Sequence, residues 1–197
     1  MHERARAMLD FWFGAPGDPG REQHRPIWFN GSPEFDAEVR RHFLVDYEAA
    51  VAGHFADWES EPESALALLL LLDQVPRNIF RDTPRAYDTD SAACVVADRA
   101  LARRFDQAVP AAWRIFFYMP LHHSEDLAKQ RRSVALFAAL PGDRGSGGLR
   151  RYGEAYVDVI ARFGRFPHRN VILGRESTEA ETAFLAECDL RRQQAQK

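Results

Sequence analysis

The chain has 197 residues, of which 46% are hydrophobic and 28% charged, and its formal net charge is -3. This balance is typical of a folded globular protein and excludes a disordered chain. The longest apolar run, Ala65 to Leu72, is far shorter than the roughly 18 residues of a membrane span. A weakly acidic chain without a basic stripe also argues against nucleic-acid binding. We therefore expect one soluble domain over residues 1–197, with neither a membrane nor a nucleic-acid partner.

The first residues and the cysteines indicate the compartment. The opening sequence MHERAR lacks the basic start and apolar stretch of a secretory signal. Cys94 and Cys188 are too few for the disulfide framework of a small secreted protein. We expect both to be reduced thiols and the protein to be cytoplasmic.

Apolar residues recur at helical spacing throughout the chain, whereas no long stretch alternates apolar and polar residues. Caps indicate where helices begin: Ser32 precedes Pro33, and Thr178 stands three residues before Glu181 in a capping box. The predicted fold class is therefore all-α, with about eight helices. The expected ranges are 2–12, 33–52, 62–74, 90–105, 110–118, 124–140, 149–163 and 179–190.

The first polar motif is LDQVPRN, at residues 72–78. Pro76 is expected to end the apolar helix, which places Asp73 in its last turn. A carboxylate there opposes the helix dipole by about 0.3–1 kcal/mol. Either a salt bridge to Arg77 or to a neighbouring helix compensates Asp73, or Asp73 faces a polar cavity. The candidate binding residues of this motif are Gln74, Arg77 and Asn78.

The second motif is YMPLHHSED, at residues 118–126. Pro120 is expected to end one helix just before the next begins, which places His122 and His123 at the joint. His123 with Glu125 can form an acid–base pair or contribute metal ligands. No HExxH-like spacing is present, so no metal site is predicted. The structural alternative is a helix cap with an interhelix hydrogen bond.

The third motif is RFGRFPHRN, at residues 162–170. Pro167 is expected to open a short helical turn, which places His168 and Arg169 beside unpaired N–H groups at the positive end of a dipole. An anion resolves this conflict. It is either a ligand phosphate or carboxylate, or a protein carboxylate such as Asp73. Arg165 and Asn170 are further candidate binding residues.

Together the motifs predict one polar pocket for a small anionic metabolite, without a cofactor. Its candidates for proton transfer are His168, His123 and Asp73. Its candidate binding residues are Gln74, Arg77, Asn78, Glu125, Arg165, Arg169 and Asn170. A buried electrostatic staple between Asp73 and the third motif is the structural alternative. The alternative function is a helical scaffold for a protein or peptide partner. Aromatic residues near the N-terminus, such as Trp28 and Phe29, either line a ligand groove or serve packing.

These three motifs, with LDFWFG at residues 9–14 and WF at 28–29, resemble the hallmark blocks of the bacterial "domain of unknown function 924" family. The resemblance covers nearly the whole chain. It implies a fold of helical hairpins packed in a tetratricopeptide-like superhelix, and it implies no particular activity. Members often have an acidic or apolar residue at the position of His122, so the resemblance gives His122 no role in the site.

Overall fold

The computed structural model of the chain describes residues 2–29, 31–140 and 143–195. Within these ranges the regular elements are helices and short helical turns, with no strand, which confirms the predicted all-α class. In chain order the α-helices are α1 (Glu3–Phe13), α2 (Pro33–Val51), α3 (Pro62–Leu69), α4 (Val75–Ile79), α5 (Asp90–Ala102), α6 (Ala111–His123), α7 (Leu127–Ala138), α8 (Asp143–Phe163) and α9 (Glu179–Ala195). None of these helices is long and apolar enough to cross a membrane. The tetratricopeptide-like superhelix stays a prediction.

The predicted caps form at both ends of the chain. The hydroxyl of Ser32 accepts from the N–H of Phe35 and begins α2. Thr178 and Glu181 exchange hydrogen bonds in the predicted capping box before α9. In contrast, α8 begins at Asp143, before the expected range 149–163 and within a Gly-rich stretch, because glycine lowers helix propensity without abolishing it.

The apolar helix does not end at Pro76, as the sequence predicted. Instead α3 continues through a π-helical turn, Leu70–Gln74, directly into α4. Pro76 has no N–H to offer the carbonyl of Leu72, its normal α-helical partner, and that carbonyl accepts from the hydroxyl of Thr89 instead. Asp73 therefore lies inside a helix, and the predicted conflict with a helix end is wrong.

Pro120 does not end its helix either, because α6 runs through it to His123. The proline costs about 3 kcal/mol in a helix interior, but each large apolar side chain that α6 buries, such as Trp113 or Phe117, returns a similar amount. The next helix, α7, begins after Asp126, whose carboxylate accepts from the N–H of Lys129. His122 and His123 consequently lie in the last turn of α6.

The apolar helix α3 lies at the centre of the core, in contact with α1, α5 and α6. The segment before α2 is fixed to this core by Trp28, whose indole N–H donates to the Trp12 carbonyl at 2.8 Å. The Trp28 ring packs edge-on against Phe116 of α6. The π-helical turn, the end of α6 and this N-terminal segment therefore meet in one region.

Candidate functional site

A cavity of about 540 Å³, which we name the larger cavity, opens where α4, the end of α6, α8 and the segment before α2 meet. Its basic and imidazole side chains are His24, Arg77, Arg81, His122 and His123. Its amide side chains are Gln74 and Asn78. Its large apolar and aromatic side chains are Ile27, Trp28, Phe29, Met119, Leu149 and Tyr156. Within the described part of the chain, no aspartate or glutamate belongs to this lining.

Asp73 and His123 form a buried dyad behind the polar wall of the larger cavity. The Asp73 side chain is only 1% exposed, and its Oδ1 lies 2.8 Å from Nδ1 of His123. Gln74 donates to the other carboxylate oxygen at 2.7 Å, and the guanidinium of Arg77 lies 3.3 Å from Oδ1. Because an ionised carboxylate only accepts hydrogen bonds, Nδ1 of His123 carries the proton and Nε2 is left as an acceptor.

The electrostatic surroundings fix the charge of both partners. Burial alone would raise the pKa of Asp73, but the neighbouring His123 and Arg77 hold that pKa well below its usual range. Burial, assisted by the positive charge of Arg77, lowers the pKa of His123. At neutral pH the dyad therefore consists of a carboxylate and a neutral imidazole, which is the form of histidine that accepts a proton.

His122, the residue to which the resemblance gave no role, lines the larger cavity as well. Its ring stacks on Tyr156 with centroids 4.6 Å apart and planes 4° from parallel. Its Nδ1 is buried and makes no hydrogen bond to the described residues. Burial, together with the neighbouring His123, lowers the pKa of His122 to about 3, so this ring stays neutral at any moderate pH.

We expect the buried His122 to make the protein sensitive to acid. An unfolded histidine takes up a proton near pH 6.5, whereas the folded ring takes one up only near pH 3. As pH decreases between these two values, the free energy of unfolding should therefore decrease as well. This residue alone should contribute up to about 1.4 kcal/mol per pH unit. His122→Phe keeps the stack on Tyr156 and should flatten this slope in urea unfolding curves. Identical slopes for both proteins would contradict a buried neutral ring.

One interpretation of the sequence paired Arg169 with Asp73, but the structure pairs Arg169 with another carboxylate. Arg77 contacts both Asp73 and Asp90, with 2.8 Å between Nη2 and Oδ1 of Asp90. Arg169 lies 3.1 Å from the other oxygen of Asp90 and donates to the carbonyl of His123 at 2.9 Å. Asp73 and Arg169 are thus linked by ion pairs through Arg77 and Asp90, and by hydrogen bonds through His123.

The other members of the third motif lie away from the larger cavity. Arg165 makes a bidentate pair with Glu181 at 2.7 and 2.8 Å, and the Asn170 amide donates to the same carboxylate at 3.3 Å. These contacts anchor the start of α9. His168 is exposed, and its ring lies 5.3 Å from that of Phe166. The prediction that all three motifs converge on one pocket is therefore met only by the first two.

A smaller cavity of about 430 Å³ lies on the other side of His123, which lines both. Glu125 and Arg169 line this smaller cavity rather than the larger one. Glu125 is held by Arg175 at 2.8 and 3.0 Å and accepts from the N–H of Phe166 at 2.7 Å. Its carboxylate therefore holds the second and third motifs together.

Several lining residues were missed because the motifs do not contain them. Arg81 stands four residues after Arg77, one helical turn away, and this spacing is a signal that could have found it. His24 and Tyr156 belong to other elements and carry no such signal. Among the described residues, no three histidine, cysteine or carboxylate side chains cluster so that they could hold a metal ion.

The fold and site define a helical protein with a polar cavity beside a π-helical turn. The model of a family described as a bacterial protein of unknown function, DUF924, matches residues 8–189, and the chain belongs to this family. A solved structure that is similar to the chain is that of a protein of unknown function from Agrobacterium tumefaciens. It is 41% identical, with a TM-score of 0.81, and the match covers 93% of this chain and 97% of that one. No curated protein matches the chain. The resemblance found in the motifs is thereby confirmed.

Proposed function

We propose that this protein binds a small organic anion in the larger cavity. The observation that carries the proposal is the composition of the wall: it combines guanidinium, imidazole and amide groups with no carboxylate among the described lining residues. An anion leaving water needs charged or polar donors to replace its hydration. A cavity of this size that combines apolar and aromatic surface with convergent polar groups is typical of small-molecule sites.

Arg81 is the donor that is best placed to meet a ligand. Its Nε and Nη2 hold Asp36 at 2.7 and 2.8 Å. Its remaining Nη1 lies beside Gly31, which also lines the larger cavity. The side chain is 47% exposed, so it can move towards an anion without breaking the core. Arg77, by contrast, is fixed by two carboxylates, Asp73 and Asp90, which offset its positive charge.

His123 gives the cavity a group that can exchange a proton with the bound ligand. A neutral imidazole held by a buried carboxylate is the arrangement that general bases use, because the carboxylate fixes the tautomer and the ring orientation. Asp73 has this role towards His123. His168, the other predicted histidine, is exposed and does not belong to the lining of the larger cavity.

The scaffold alternative has no comparable observation in its favour. The exposed large apolar side chains of the described residues are Ile27, Phe29, Val45, Val51, Val95, Val171 and Leu190. Val45 and Val51 belong to α2, Val95 to α5 and Leu190 to α9, whereas Ile27 and Phe29 belong to the larger cavity itself. A groove for a protein or peptide would need a contiguous apolar patch.

A thermal-shift screen with phosphorylated and carboxylated metabolites tests the proposal. A ligand at about 100 times its dissociation constant should raise the free energy of unfolding by roughly 2.7 kcal/mol. Arg81→Ala should weaken the binding of any such ligand at least about tenfold, because a charge-assisted hydrogen bond contributes about 1.5–3 kcal/mol.

Arg85→Ala is the matched control for this screen. Arg85 is 50% exposed and pairs with Glu48 of α2, much as Arg81 pairs with Asp36 of the same helix. Arg85 does not belong to the lining of the larger cavity. Each substitution should cost the unliganded protein less than about 1 kcal/mol. Equal loss of ligand stabilisation in both variants, or no stabilisation by any anion, would refute the proposal.

A further inference from the structure

We infer that the anion bound in the larger cavity carries a planar aromatic ring, which packs against Phe29. This inference rests on the proposed function and names the chemical class of its ligand. The polar groups of the wall account for the charged end of a ligand, and the aromatic side chains of the lining account for the other end.

Phe29 is presented to the cavity rather than buried in the core. It is 43% exposed, and its neighbour Ile27 is 39% exposed, although both line the larger cavity. Apolar area left in water at the rim of a cavity is area that a ligand can bury on binding. A purely polar anion would leave it exposed, whereas a ligand with an apolar body would cover it.

The position of Phe29 is fixed before any ligand binds. Its N–H donates to the Pro26 carbonyl at 3.1 Å, at the end of the turn that Trp28 anchors to Trp12. Its ring is within 20° of parallel to that of His24, at 5.6 Å. A ring held in one orientation offers a flat face at little entropic cost on binding, which favours a flat partner.

A second flat surface lines the same cavity. Tyr156 of α8 stacks on His122 almost in parallel, and both rings belong to the lining. Aromatic rings prefer offset-stacked or edge-to-face contacts at 4.5–7 Å between centroids. The wall therefore offers aromatic surfaces from two separate elements, and guanidinium and imidazole groups beside them.

Three phosphate monoesters with the same charged group separate these contributions. Methyl, cyclohexyl and phenyl phosphate are titrated calorimetrically into the wild type, Phe29→Leu and Phe105→Leu. Phe105 is a partly buried ring that stacks with Arg103 and does not line the larger cavity. We expect phenyl phosphate to bind the wild type at least about tenfold more tightly than methyl phosphate and about threefold more tightly than cyclohexyl phosphate.

Phe29→Leu should remove most of the preference for the phenyl ester over the methyl and cyclohexyl esters, whereas Phe105→Leu should keep this preference. Equal binding of all three esters, or of the phenyl and cyclohexyl esters, would overturn the ring inference while the proposed anion site stands. No binding of any ester would overturn both. If Phe29→Leu fails to fold, the affinities of the wild type for the three esters are sufficient to test the ring inference.

Discussion

Asp73→Asn is expected to lower the free energy of unfolding at pH 7 by about 3–5 kcal/mol. Asp73 is 1% exposed and faces the positive charge of Arg77 and the ring N–H of His123. Removing the Asp73 charge leaves Arg77 and Arg169 to share the carboxylate of Asp90, and under-compensating a buried charge costs far more than the net worth of an ion pair. Urea unfolding followed by circular dichroism measures the difference.

The control and the pH dependence make this prediction specific. Glu154→Gln makes the same chemical change in an i,i+4 pair with Arg150 that is 57% and 52% exposed, and it should cost less than about 1 kcal/mol. The fold lowers the pKa of Asp73, so its contribution is complete above the unfolded value of about 4 and is lost as pH falls below it. The wild type should have the higher free energy of unfolding at pH 7, and its difference from Asp73→Asn should shrink towards pH 3. No difference at pH 7, or the same difference at both pH values, would contradict an ionised, buried Asp73.

Arg169→Ala is expected to destabilise the protein by about 3 kcal/mol. The guanidinium is 7% exposed, contacts Asp90 and donates to the carbonyl of His123. It also lies between the rings of Tyr87 and Phe166, with 4.6 Å from its carbon to each ring centroid. The substitution therefore removes an ion pair, a hydrogen bond and packing at one position. Thermal and urea unfolding in phosphate-free buffer measure the loss.

The partner of Arg169 determines which second substitution recovers stability. Adding Asp90→Asn to Arg169→Ala should recover part of the loss, because Asp90 is the carboxylate that the first change leaves with one guanidinium fewer. Adding Asp73→Asn should make the protein worse. Arg132→Ala, in a pair with Asp98 that is about half exposed, is the control and should cost less than about 1 kcal/mol. A loss below about 1 kcal/mol for Arg169→Ala would contradict its place in the network.

The sequence predicts the helical class well but misplaces two helix ends, and both errors involve proline. Pro76 and Pro120 are strong helix breakers by local rules. In the structure, the first is accommodated by a π-helical turn whose unpaired carbonyl accepts from Thr89, seventeen residues further along the chain. The second lies in a helix whose burial outweighs one lost hydrogen bond. Such tertiary compensation leaves no pattern near the proline itself.

The residues of the site also divide into those that the sequence predicts and those that it does not. Gln74, Arg77, Asn78 and His123 were predicted from two motifs, because each motif places its polar groups at the end or widened turn of a buried helix. The counterion of Arg169 is Asp90, which belongs to no motif, so charge complementarity alone pointed to the wrong carboxylate. Phe29 was noted only as one of several aromatic residues, since exposure at a cavity rim depends on the whole fold.

Histidine side-chain spectra give the most direct test of an anion site in the larger cavity. The chain has seven histidines, and His24, His122 and His123 line this cavity while His2, His42 and His54 do not. In ¹H–¹⁵N spectra of ¹⁵N-labelled imidazoles, saturating phenyl phosphate should shift the first three signals and leave the last three in place. Shifts confined to the remote histidines, or no shift at a concentration that raises the melting temperature, would contradict binding in the larger cavity.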